Sequence, residues 1–82
     1  MRKSLVISSL LFSCLAQADL LDALKYYEEK HYAQATTEFN KLLPLGNEVA
    51  AFNLGAIYHN GEGTAVDHVK ALTYFQLAAE LG

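Results

Sequence analysis

The chain has 82 residues, room for one small domain at most. Six basic residues against nine acidic ones give a formal charge of −3, without a basic stripe, which argues against nucleic acid or an anionic membrane as partner. Its one cysteine, Cys14, falls in the first eighteen residues, so the rest carries no disulfide framework.

Residues 1–18 begin with Arg2 and Lys3, continue with an apolar stretch from Leu5 to Leu15, and end in Ala16-Gln17-Ala18 before Asp19. That order, basic then apolar then small-x-small, predicts a cleaved secretory signal peptide and export to the periplasm or beyond the cell. The apolar stretch is too short to cross a bilayer core of ~30 Å as a permanent anchor. A buried N-terminal helix is the bland alternative. A lipoprotein cut before Cys14 is another, against which stands the bulky Phe12 two places upstream. Cleavage after Ala18 would leave 64 residues with four lysines and nine acids, a net charge of −5.

From Asp19 to Glu29 the pattern predicts a first helix, with Asp19 as its N-cap and Leu20, Leu24 and Tyr27 as an apolar stripe. Its end near Lys30-His31 lacks a glycine. Tyr32 to Leu43 predicts a second helix, with Tyr32, Ala35, Phe39, Leu42 and Leu43 on one face, stopped by Pro44. After Gly46, Asn47 is placed to cap a third helix from Glu48. In that helix Ala51, Leu54, Gly55 and Tyr58 share a face. Gly61 and Gly63 then give the chain two positions for a tight reversal, and Asp67 caps a fourth helix with Ala71, Phe75, Ala78 and Ala79 on one side. A glycine inside a helix costs about 1 kcal/mol against alanine. Gly55 is therefore expected to lie under a ring of the partner helix, such as Phe75.

The chain repeats itself. At an offset of 36, Ala35, Thr37, Phe39 and Leu45-Gly46 match Ala71, Thr73, Phe75 and Leu81-Gly82. Upstream the offset is 32, where Ala23 matches Gly55 and Tyr26 matches Tyr58. The difference of four is the glycine loop, absent from the first unit. Aligned this way, Asp19 and Asp22 stand where the second unit has Ala51 and Leu54, so the first helix is expected to turn that edge to water as an N-terminal cap does.

The run Ala51, Leu54-Gly55, Tyr58, Gly61, Gly63, Asp67, Lys70-Ala71, Tyr74, Ala78-Ala79, Gly82 resembles a Sel-one-like repeat, a relative of the tetratricopeptide repeat. One departure is Thr64 directly after the G-x-G, where the family usually has valine; Val66 stands two places on. The resemblance implies an all-α fold of antiparallel helix hairpins stacked as a short superhelix, of the secreted bacterial type. Its parts would be a signal peptide (1–18), a tetratricopeptide-like pair acting as cap (19–46) and a Sel-one-like pair (47–82). Two units are fewer than the three or so that a solenoid needs. A fragment of a longer array is therefore expected, or a second chain on the open end.

Residues for chemistry are sparse. His31, His59 and His68 have no H-E-x-x-H spacing and no cysteine beside them, so no metal is expected. Every serine lies in residues 1–18, and no threonine has a base at a motif spacing. Gly61-Glu62-Gly63 lacks the lysine of a phosphate loop and follows no strand; it reads as a turn. Glu28 and Glu29 diverge on a helix rather than converge on a bond. Tyr26, Tyr58, Phe39 and Phe75 hold repeat positions and are expected in the core.

In tetratricopeptide-like folds one side of each first helix lines a concave groove. The resemblance places Leu20, Leu24, Tyr27, Phe52, Ala56 and His59 there, as a candidate protein-binding groove; the bland reading is that they pack a neighbouring helix. The function implied is a protein–protein interaction module or scaffold with no cofactor, its partner a protein or peptide. Self-association through the open C-terminal face is the further expectation. The alternative is a secreted hydrolase of the type linked to β-lactam cleavage. Against it, the paired cysteines of that subgroup and an S-x-x-K are both missing.

Overall fold

The computed structural model describes residues 18–82. Among them are helices α1 (18–28), α2 (Tyr32–Leu42), α3 (Glu48–Asn60) and α4 (His68–Leu81), with a 3-10 turn (Leu43–Leu45) before α3. They form two hairpins, α1–α2 and α3–α4, with α2 packed on α3. The expected all-α stack of hairpins is the fold. The expected signal segment, with Cys14, lies outside the described residues apart from Ala18.

Local chemistry sets the ends. Ala18 is already helical, so Asp19 lies within α1 rather than capping it, a correction to the expected start. α1 closes without glycine: Lys30 takes a left-handed φ of 63°, and the His31 N–H donates to the Tyr26 carbonyl at 2.8 Å. For a residue with a Cβ this conformation costs about 1–2 kcal/mol. Pro44 does not end the chain's turning. It sits at the start of the 3-10 turn, where a missing N–H forfeits no bond, and α2 ends one residue earlier than expected, at Leu42. Asn47 caps α3 by accepting from the Ala50 N–H at 3.0 Å, and Asp67 caps α4 by accepting from the Lys70 N–H at 3.0 Å.

The core is a junction, not the interior of either hairpin. Ala23, Ala35, Phe39 and Leu42 of the first pair meet Ala50, Leu54 and Ile57 of α3, and each is at most 1% exposed. Its four largest side chains come two from each hairpin: Phe39 and Leu42, Leu54 and Ile57. Full burial of such a side chain is worth about 1.5–3 kcal/mol. Separating the hairpins would expose all four, so each holds the other folded. Burial of Ala50 and Ile57 was not foreseen from the stripe Ala51–Leu54–Gly55–Tyr58. α3 buries one side against the first hairpin and another, through Ala51 and Gly55, toward α4. The expected core aromatics divide accordingly. Phe39 is closed off, whereas Tyr26, Tyr58 and Phe75 are half-buried. Tyr58 instead stacks on Tyr74, centroids 5.7 Å apart, with the Lys70 ammonium 4.6 Å over its ring.

α3 and α4 approach closely at Gly55. A Cβ there would lie 2.6 Å from Cδ1 and Cε1 of Phe75, so the ring rests on bare backbone. Ala71 is buried beside it, while Ala79, expected in the same contact, is exposed because α4 turns it outward.

The glycine loop ties the two units together. Gly61, at φ 69°, ends α3, and the Glu62 N–H returns to the Ile57 carbonyl at 2.9 Å. Glu62 is thereby aimed at the first unit, where the Tyr27 hydroxyl donates to its Oε1 at 2.6 Å. Gly63 passes so close to Tyr32 that a Cβ would fall 2.6 Å from that residue's own Cβ. Burial first, then the bond to Glu62 and its charge, push the Tyr27 phenol up from 10.0 to about 12. Tyr32 is raised too, by desolvation and then by Glu62.

Two outcomes follow from these contacts. Replacing Gly55 by leucine drives a side chain into the ring of Phe75, an overpacking that costs about 1–3 kcal/mol. Helical circular dichroism should be lost at a lower temperature than in the parent; an unchanged midpoint would contradict the contact. The second concerns alkali. A phenol whose pKa is higher folded than unfolded keeps its proton longer in the folded chain, so the stability it contributes is full below pH 10 and is lost as pH rises toward 12. Denaturant midpoints measured across that window should fall more steeply for the parent than for Tyr27→Phe, and equal slopes would refute the linkage.

Candidate binding surface

On α3, with 100° between successive side chains, Phe52 and His59 point away from the side that carries Ala50, Leu54 and Ile57. They face out of the stack with α4. The Phe52 and Phe75 rings lie 5.5 Å apart, and His59 stands 6.4 Å from Phe75 and 5.2 Å from His68. Phe52 is 58% exposed and Leu72 57%. Two open hollows share Phe75 as their common wall. The larger, about 610 Å³, is lined by Glu48, Val49, Phe52, Phe75, Ala78 and Ala79. The smaller, about 390 Å³, is lined by His59, His68, Ala71, Leu72 and Phe75.

The six groove candidates are not brought together. Leu20, Leu24 and Tyr27 pack half-buried against the core cluster, under the second hairpin. Phe52 and His59 are on the open side of α3, with Ala56 half-buried between them. The repeat offset explains the division, because Leu20, Leu24 and Tyr27 are the counterparts of Phe52, Ala56 and His59. One and the same face is covered in the first unit and bare in the second.

Ring geometry carries the equivalence further. Tyr27 and Tyr32 meet at 5.6 Å with planes 67° apart; their counterparts His59 and His68 meet at 5.2 Å and 59°. Tyr27 and Phe39 are 6.5 Å and 64° apart; His59 and Phe75 are 6.4 Å and 60°. The groove expected from the sequence leaves out Val49, Leu72 and Phe75, of which Leu72 and Phe75 belong instead to the open C-terminal face expected for self-association. Applying the offset of 36 to Thr36, Phe39, Leu42 and Leu43 would have found Leu72, Phe75, Ala78 and Ala79; Val49 has no such signal.

The arrangement offers apolar and aromatic contact, rimmed by Glu48 and two imidazoles. Among the described residues no three histidine, cysteine or carboxylate side chains gather as a metal site would require. Nor, among those residues, is any helix long and apolar enough to cross a membrane.

Comparison with known proteins bears on the same segment. The chain is 41% identical over 70 residues to human Superkiller complex protein 3, and 40% identical over 70 residues to the mouse protein of that name. Each match takes in 82% of this chain but 4% of the relative, so the chain spans a small piece of their length. No solved structure matches. Residues 49–82 match the Sel1 repeat family, and this stretch takes in α3 from its second residue, the glycine loop and α4.

Proposed function

We propose that this chain is an exported helical-repeat protein of the secreted bacterial type, which binds another protein or peptide and catalyses nothing. The observation that carries the binding role is the bare face around Phe52, Leu72 and Phe75. A contiguous apolar surface of this kind on a small domain marks an interaction site more often than not. The Sel1 repeat supports the same role, and the curated relatives are named for a complex. Export rests on the basic, apolar, small order of residues 1–18. A second copy could meet the same face, which makes self-association the competing form of the same role.

Two measurements test this reading. Expressed in a Gram-negative host, the mature protein should begin at Asp19 by intact mass; retention of Met1 would remove export, and an acylated Cys14 would replace it with lipid anchoring. A photo-crosslinking side chain at position 52 should give a discrete protein adduct in host extracts, and one at exposed Lys41 should give none. Absence of an adduct at position 52 would overturn the binding role. An adduct of twice the chain's mass would assign the face to self-association.

A further inference from the structure

Tyr26, Ala33, Gln34, Thr37 and Glu38 line a hollow of about 230 Å³ on the first hairpin. By the repeat offsets they are the counterparts of Tyr58, Val69, Lys70, Thr73 and Tyr74. In the second unit those positions fill themselves. Tyr74 stacks on Tyr58, with centroids 5.7 Å apart and planes at 13°, and the Lys70 ammonium stands 4.6 Å over the Tyr58 ring. Both fillers belong to α4, so the site is occupied from within its own hairpin and not by a neighbour in the stack.

The first unit has the tyrosine and neither filler. Gln34 is neutral and shorter than lysine, and Glu38 puts a carboxylate where the second unit has a ring. A flat group and a positive charge are therefore missing beside Tyr26, and a negative charge stands next to the space they would take. The Lys41 ammonium meets one oxygen of Glu38, Oε1, at 3.1 Å, but it is 63% exposed, and an exposed pair of this kind is worth little. Among the described residues nothing is bonded to Oε2. The Thr37 hydroxyl donates to the Ala33 carbonyl at 3.1 Å, which leaves its oxygen able to accept from a ligand.

We propose that this hollow binds a small molecule carrying a guanidinium group. That group is planar and always charged, so it supplies at once what Tyr74 and Lys70 supply in the second unit. Its face lies on the Tyr26 ring, and its N–H groups donate to the Glu38 carboxylate and the Thr37 hydroxyl. An ammonium would meet the carboxylate but has no plane to stack, and a neutral amide would stack without the charge. The excess of acidic over basic residues favours a cation as ligand. The site shares no residue with the face around Phe52 and stands whether or not that face binds protein.

The full chain is titrated with ethylguanidinium at constant ionic strength, followed by the NMR signals of the Tyr26 ring and the Thr37 amide. Those signals should shift and saturate, while those of His59 and Phe75 stay still. Ethylammonium should bind more weakly, and ethylurea, flat but uncharged, should give no saturating shift. Glu38→Gln should weaken binding about tenfold through loss of a charge-assisted hydrogen bond. Gln34→Lys, which restores the ammonium of the second unit, should abolish binding without lowering the thermal midpoint, so that loss of fold cannot account for the result. Equal responses to ethylguanidinium and ethylurea would overturn the proposal, as would shifts that spread over the chain without saturating, or unchanged binding in both variants. A photo-crosslinking side chain at position 34 should give no protein adduct in host extracts; an adduct there would give the hollow to an arginine of another protein and overturn the assignment to a small molecule.

Discussion

Phe75 lying on the backbone of Gly55 is the contact on which the second hairpin closes. A ring can approach a helix axis this nearly only where no Cβ intervenes, so one absent side chain sets the distance between α3 and α4. The glycine's entropic cost, about 1 kcal/mol against alanine, is offset by the burial it permits. Phe75 is thereby held with one face on the helix and the other toward solvent, so the contact that closes the hairpin also builds its surface.

Burial on two sides makes α3 the hub. Ala50, Leu54 and Ile57 belong to the junction with the first pair, while Ala51 and Gly55 belong to the approach of α4. α4 itself contributes only Ala71 to the buried set. Among the described residues the gradient runs along the stack: the first pair and α3 share a closed core, and most of α4 is exposed or half-buried. The face proposed for binding therefore lies on the side of the second hairpin where, among the described residues, few side chains are buried.

Much of this was legible in the sequence. Asn47 and Asp67 are capping residues at the right distance from apolar periodicity, and both cap. Gly55 within a helix demanded a ring, and the ring is Phe75. What could not be read was the choice between two neighbouring faces of α3, because Ala50, Ala51, Leu54 and Ile57 are apolar over most of the helix circumference and give no single stripe. Lys30 in a left-handed turn left no trace either, since nothing but tertiary packing holds lysine in a conformation that glycine adopts freely. Glu62 read as a polar loop residue, and its partner Tyr27 lies 35 residues away, beyond any local pattern. The candidate surface was half legible: the α3 residues came from the repeat alignment, while Leu72 and Phe75 of α4 were read as part of a separate open face, and Phe75 also as core, which its counterpart Phe39 is and Phe75 is not.

The junction between the units also says how the stack responds to its medium. It is made of aliphatic and aromatic side chains and one phenol–carboxylate bond. Among the described residues the one ion pair, Lys41 with Glu38, is exposed on α2 and away from that junction. Salt screens charges on a surface but leaves buried apolar contact in place, and many exposed pairs contribute nothing measurable. The relative placement of the two hairpins should therefore be the same in dilute buffer and in brine, since what holds it is apolar contact that salt does not screen.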